Sequence, residues 1–218
     1  MLVLGLDTCL NACSVAVVDD GTVLAHHSEA MARGHQERLA PMVRAAMAEA
    51  GRPFADLDLI GATVGPGSFT GLRVGVAFAK GLASALGRPA AGVGTLEALA
   101  AEAAGTVVAA IDARRDQLYL QIFDGGVALM APDVLPVGTA AARLAELAQG
   151  RPLTLVGSGA PLLASAAPGA AVSTPEGCDA RLVARLAAGR SSAPLRPLYL
   201  RAPDAKLPGG RTPDDPRP

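Results

Sequence analysis

The sequence has no tryptophan, and aromatic residues make up only 3% of its 218 positions. A chain that is half hydrophobic with so few rings must build its core from Ala, Val and Leu. The three cysteines, Cys9, Cys13 and Cys178, are odd in number and show no CxxC spacing. Free thiols in a cytoplasmic protein are the economical reading. The three histidines, His26, His27 and His35, include no HExxH pair, which removes a zincin-type hydrolase. No stretch approaches 18 uninterrupted apolar residues, and Met1 to Asp7 lacks a basic start, so neither a membrane span nor a signal peptide is expected. Nineteen basic residues against twenty acidic ones give a net charge of −1 without blocks of either sign. That balance offers no footprint for nucleic-acid binding by the chain alone.

What is present is organised around Leu59 to Lys80. Leu59 to Val64 reads as a buried strand, Gly65-Pro66-Gly67 as a turn, and the residues from Ser68 or Thr70 to Leu86 as a helix with a hydroxyl N-cap. Gly71, Gly75, Ala79 and Ala83 recur every four residues as a stripe nearly free of side chains. Each mid-helix glycine costs about 1 kcal/mol against alanine, so close approach of another backbone is expected there. The loop is not a nucleotide loop of a named kind. GxxxxGK[ST] is absent, Thr70 replaces the third glycine of GxGxxG, and no acidic residue ends the next short strand.

Before this stretch lie three strands (Leu2–Leu6, Cys13–Val18, Thr22–Glu29) with a hairpin turn at Asp19-Asp20-Gly21. An amphipathic helix from His35 to Ala50 follows, with Leu39, Met42, Val43, Ala46 and Met47 on one face, Pro41 near its start and Gly51 closing it. His35 is either a polar residue at the helix start or part of an interface. Asp7, at the end of the first strand, can hold a metal–phosphate or cap backbone amides, the cap being the simpler reading. After the organising helix come a short strand (Ala90–Val93) and an Ala-rich helix (Thr95–Ala103). The strand–turn–strand pattern then restarts with Thr106–Asp112, Gln117–Phe123 and Val127–Met130. A helix (Thr139–Gln149), a strand (Leu153–Val156), an apolar segment and strand (Leu162–Val172) and a last helix (Asp179–Ala188) complete it. From Ser191 the sequence turns proline-rich, and a disordered tail is expected over residues 202–218.

A meander with Asp7 in its first turn, repeated about 105 residues later, resembles the two-lobed actin-like (ASKHA, ribonuclease-H-like) fold, an α/β architecture with a mixed sheet in each lobe. The lobes are expected at residues 1–103 and 104–201. Within that superfamily, Val64 to Gly75 with Ala79-Lys80-Gly81-Leu82 resembles the signature of the TsaB (YeaZ) family. Leu6-Asp7-Thr8, His35-Gln36-Glu37, Ile111-Asp112-Ala113-Arg114-Arg115 with Tyr119, and Leu198-Tyr199-Leu200-Arg201 agree with it.

The resemblance implies a non-catalytic subunit of the bacterial machinery for tRNA threonylcarbamoyladenosine. Its partners would be the catalytic paralogue TsaD, the small ATPase subunit TsaE and, when alone, a second copy of itself. Transfer RNA would be met only through the complex, and ATP or ADP considered only at that level. The paralogue holds its metal with two histidines four apart, and Thr95 and Leu99 stand at the matching positions here. The implied partner interface is a two-helix face comprising His35, Glu37, Leu39, Met42, Val43, Thr70, Gly71, Leu72, Arg73, Gly75, Val76 and Ala79. Bulk at Gly75 is accordingly expected to harm association and spare folding. Asp7 is the cofactor-binding candidate, in a cleft shared with the turns at Asp112–Arg115 and Gly157–Ala160, which could equally be remnants. An actin-like phosphotransferase or a glycoprotease-type peptidase is the alternative.

Overall fold

The computed structural model describes residues 1–147, 152–190 and 194–201. The tail expected at 202–218 and the last residues of the helix expected to reach Gln149 lie outside the described residues.

The first sheet has the order β3-β2-β1-β4-β5, built from β1 (Leu2–Asp7), β2 (Ala12–Asp19), β3 (Thr22–Ala30), β4 (Leu59–Thr63) and β5 (Ala90–Val93). β1, β2 and β3 form an antiparallel meander, whereas β4 and β5 run parallel to β1. The β2–β3 turn works because Asp20 and Gly21 both adopt positive φ, 46° and 82°. The second sheet has the order β11-β10-β6-β7-β8, from β6 (Thr106–Arg114), β7 (Gln117–Asp124), β8 (Val127–Ala128), β10 (Leu153–Val156) and β11 (Ala171–Ser173). The two sheets therefore repeat one plan, as the restarted sequence pattern implies.

Two departures are local. A strand β9 (Asp133–Pro136), bracketed by prolines and too short to show alternation, pairs with β7. Of the apolar segment and strand expected over Leu162–Val172, the first part lies in a short helix α5 (Ala160–Leu163) and a 3-10 turn, and the strand is β11 (Ala171–Ser173).

Helices α1 (His35–Glu49) and α2 (Phe69–Leu86) cover one face of the first sheet. Their inner residues, among them Leu39, Met42, Val43, Val76 and Ala79, join Leu4, Leu6, Val15 and Val17 in one core. The opposite face packs on α3 (Thr95–Ala100) and α6 (Ala180–Ala188) in a core that also takes in Val107, Ala109 and Ile111 of the second sheet. A third core lies between the second sheet and α4 (Val137–Leu147) with α5.

The chain thus returns from the second sheet to the first, and the approach is close. A Cβ at Gly61 would sit 2.6 Å from the Ala187 Cβ, and one at Gly5 would strike the Ala180 carbonyl. Small residues on both sides of this contact do what aromatic bulk does in other cores. Among the described residues no helix is long and apolar enough to cross a membrane.

Candidate partner interface and interlobe cleft

α2 begins where the sequence places it, with Ser68 as N-cap accepting from the Gly71 N–H at 3.3 Å. The stripe Gly71/Gly75/Ala79/Ala83 is buried, but the backbone that approaches it belongs to the same chain. The Thr8 hydroxyl donates to the Gly71 carbonyl at 2.7 Å, and the Ser68 N–H donates to the Cys9 carbonyl at 2.7 Å. A Cβ on Gly71 would collide with the Thr8 carbonyl oxygen, and one on Gly75 would lie 2.5 Å from the Thr8 hydroxyl. The glycines accommodate the β1–β2 turn, so the expectation that this stripe grips a partner is corrected.

The same correction reaches other residues of the expected interface. His35, Leu39, Met42, Val43, Leu72, Val76 and Ala79 are all buried within the chain. Withdrawing a large apolar side chain from such a core costs about 1.5–3 kcal/mol, so a partner would not reach them. His35 is 7% exposed, and its Nε2 has no partner among the described residues. Glu37, Thr70 and Arg73 do lie on the surface.

The outward side of α2 carries a second line of small residues, Ala77, Gly81 and Ala85, all exposed, with half-buried Val74, Phe78 and Leu82 beside it. Among the described residues, a Cβ at Gly81 would meet nothing within 4 Å. Exposed Ala40, Arg44 and Ala48 form a line along α1, and α1 packs beside α2. At the start of α2, Phe69 and Tyr199 are 40% and 45% exposed and stack with ring centroids 5.6 Å apart. The Arg73 guanidinium lies 3.6 Å above the Phe69 ring.

Sequence reasoning quoted Phe69, Gly81 and Tyr199 only within the family motifs, without a place in the interface, and passed over Ala77 and Phe78. The four-residue spacing of Ala77, Gly81 and Ala85 was a usable signal. It was masked because α2 is apolar around most of its circumference, so periodicity alone did not distinguish the inner stripe from the outer one.

Asp7 is 1% exposed and fully engaged. Its Oδ1 accepts from the Thr63 hydroxyl at 2.6 Å and the Cys9 N–H at 3.1 Å, while its Oδ2 accepts from the Cys178 N–H at 2.8 Å. Burial pushes the carboxyl above its ordinary value, against the lowering effect of these three donors. Asp7 therefore ties β1, β4 and the approach to α6 together, and it does not line the cleft in which a cofactor role was expected. The cleft itself is a cavity of about 540 Å3 between the lobes, bounded by Asn11, Ser68, Asp112, Arg114, Tyr119 and Ser158, among others. The turns at Asp112–Arg114 and Ser158 are brought together there, the Asp112 N–H donating to the Ser158 hydroxyl at 3.1 Å.

The cysteines are free and buried. Burial pushes the Cys9 and Cys13 thiols up to about 12 each, and Cys178 well above its ordinary value. None has the lowered pKa of a nucleophile. Thr95 and Leu99 are both buried. Among the described residues no three His, Cys, Asp or Glu side chains gather as a metal-binding group.

The model of the family described as "TsaD: tRNA N6-adenosine threonylcarbamoyltransferase" matches residues 23–152. An uncharacterized protein of Mycobacterium tuberculosis is 38% identical over 206 residues, covering 94% of this chain and 93% of that one. The tRNA threonylcarbamoyladenosine biosynthesis protein TsaB of Escherichia coli is 43% identical over 124 residues, 55% of this chain and 53% of that protein. Among solved structures, YeaZ from Pseudomonas aeruginosa aligns with a TM-score of 0.75 at 30% identity over 91% of this chain and 99% of that one. A hexokinase of the ROK type from Thermus thermophilus shares the fold alone, with a TM-score of 0.51 at 18% identity over 86% of this chain and 99% of that one. Sequence and structure agree over nearly the whole chain: it belongs to the TsaB/YeaZ family and has that family's two-lobed, actin-like α/β fold.

Proposed function

We propose that this chain works in tRNA threonylcarbamoyladenosine biosynthesis as a non-catalytic scaffold, pairing with the catalytic paralogue TsaD through the outward face of α2 and the neighbouring α1. One observation carries the proposal. Gly81 sits in the middle of an 18-residue helix, exposed, with open space around it. An exposed mid-helix glycine costs about 1 kcal/mol against alanine, and nothing among the described residues compensates. Ala77, Ala85, Val74, Phe78 and Leu82 around it make an apolar strip suited to a helix from another subunit.

The names of the relatives support the pathway, and the buried Thr95 and Leu99 support placing the chemistry in the paralogue. In this reading the first lobe, residues 1–103 with α6 returning to it, presents the interface, and the second lobe completes the cleft. TsaE docks across the pair, tRNA is met through the complex in the cytoplasm, and without TsaD the same strip pairs two copies of this chain.

The test is co-purification of the full chain with TsaD. Gly81→Leu and Ala77→Arg should each abolish the association and leave the melting temperature within a few degrees. Retained pairing in both variants would refute the assignment of the face.

The interlobe cavity favours a second reading, an actin-like phosphotransferase or a peptidase acting alone. Asp7 counts against it, because all three of its hydrogen bonds are internal. ATP turnover or peptide cleavage by the purified chain, lost on substitution of Asp112, would establish that reading.

A further inference from the structure

On the outward face of α2, Arg73 is fixed in place yet has hydrogen-bonding capacity left over among the described residues. The Arg73 guanidinium lies 3.6 Å over the Phe69 ring, and its Nε donates to the Tyr199 hydroxyl at 3.1 Å. Tyr199 comes from the far end of the chain, so two distant segments converge to hold one arginine. Among the described residues, the contacts of the Arg73 guanidinium are the Nε bond to Tyr199 and the two rings, with no carboxylate and no partner for either Nη.

Phe69 and Tyr199 stay 40% and 45% exposed in a chain that has four Phe and two Tyr in all. Stacking and the Nε bond have already removed much of the freedom that a mobile arginine side chain would lose on binding. The Nη edge that remains is the half of the fork that accepts a planar, two-oxygen anion end-on.

Carboxylate and phosphate both fit such a fork, and the surroundings choose between them. A nucleic-acid backbone calls for several cations along one track. Here α2 has Lys80 as its one other charge, and the whole chain carries −1. A single cation framed by two rings is instead the make-up of a protein–protein hot spot, where Arg and Tyr are enriched and the rim excludes water.

We propose that Arg73, framed by Phe69 and Tyr199, anchors the α2 interface by receiving an Asp or Glu carboxylate of the partner subunit. This rests on the pairing proposed above and adds to it the chemistry the partner must present.

The test measures the affinity of the full-length chain for purified TsaD by calorimetry at low and high salt. Arg73→Ala should weaken binding about 30-fold and flatten the salt dependence, as loss of a hot-spot ion pair does. Arg73→Lys keeps the charge without the fork and should lose about tenfold, and Phe69→Leu should fall between Arg73→Lys and wild type. Arg73 is exposed, so all variants should melt with the wild type. Ala77→Arg serves as the separate probe of the wider face. If Ala77→Arg abolishes binding while Arg73→Ala stays within about threefold of wild type, the anchor is wrong and the face stands. If wild type does not bind TsaD, both fall. Should Arg73→Ala keep its affinity for TsaD while the assembled complex loses tRNA, the fork takes a phosphate and the proposal is overturned.

Discussion

α2 carries two lines of small residues on opposite sides, and they have opposite physical meanings. The inner line, Gly71/Gly75/Ala79/Ala83, is occupied from within the chain: the β1–β2 turn meets its two glycines, with the Thr8 hydroxyl bonded to the Gly71 carbonyl at 2.7 Å, and Ala79 and Ala83 pack in the core. The outer line, Ala77/Gly81/Ala85, faces open space. The same residue type at the same spacing is in one case a solved packing problem and in the other an unmet one. What separates them is whether a Cβ would collide with something already in the chain.

The inner line gives the largest expected effect. A side chain at Gly71 has to displace the Thr8 carbonyl, which is backbone and itself fixed by the meander. Gly71→Val should therefore cost about 3 kcal/mol through overpacking, read as a lower denaturant midpoint. Gly75→Leu belongs to the same class, since it meets the Thr8 hydroxyl at 2.5 Å. Both should destabilise the isolated chain, contrary to the sequence-based expectation that bulk at Gly75 spares folding. A Gly71→Val chain as stable as wild type would dissolve the distinction between the two lines.

This contrast also marks where the sequence stopped being legible. The order of elements, the meander, the Ser68 cap and the two-lobed mixed-sheet plan follow from local signals: alternation in β7, hydroxyl capping, glycines in turns, and a pattern that restarts. β9 was missed because the three residues between Pro132 and Pro136 show no period. The phase of α2 was unreadable for a different reason. Half-buried Val74, Phe78 and Leu82 flank buried Leu72 and Val76 and pack against the same core as Val76, so apolar residues take up most of the circumference and hydrophobicity does not say which side the sheet takes. The convergence of Phe69, Arg73 and Tyr199 joins positions 126 residues apart, and no window along the chain contains it. Asp7 was legible as a cap, but its third donor, the Cys178 N–H, depends on α6 returning to the first sheet.

Asp7 offers a mid-sized test of how firmly the inner side is held. Asp7→Asn has one oxygen where three donors converge on two, so at least one buried N–H or hydroxyl loses its acceptor. A cost of about 1–3 kcal/mol is expected. The pH dependence has a definite sign. The folded pKa is raised above the ordinary 3.8, so between the two values the folded chain binds more protons than the unfolded one. The stability contributed by this group is full below the unfolded value and is lost as pH rises through the folded one. Wild type should therefore lose stability relative to Asp7→Asn as pH climbs from about 4 toward neutrality. A difference between the two that is flat or grows over that range would show that the donors outweigh burial.

The smallest effect is the most discriminating, because its sign is unusual. Gly81→Ala adds a methyl into open space on a helix surface, restricts the unfolded chain and improves helix propensity, so the isolated protein should gain up to about 1 kcal/mol. An exposed position that becomes more stable on the simplest substitution is one where glycine serves something outside the fold. If that something is a helix of the partner, the same methyl stands at the contact and should weaken association while it strengthens the monomer. Denaturation of the lone chain and calorimetric titration with TsaD read the two effects separately. A substitution that stabilises the monomer and leaves pairing untouched would place the partner elsewhere, and one that destabilises the monomer would mean that the outer line, like the inner, is already occupied.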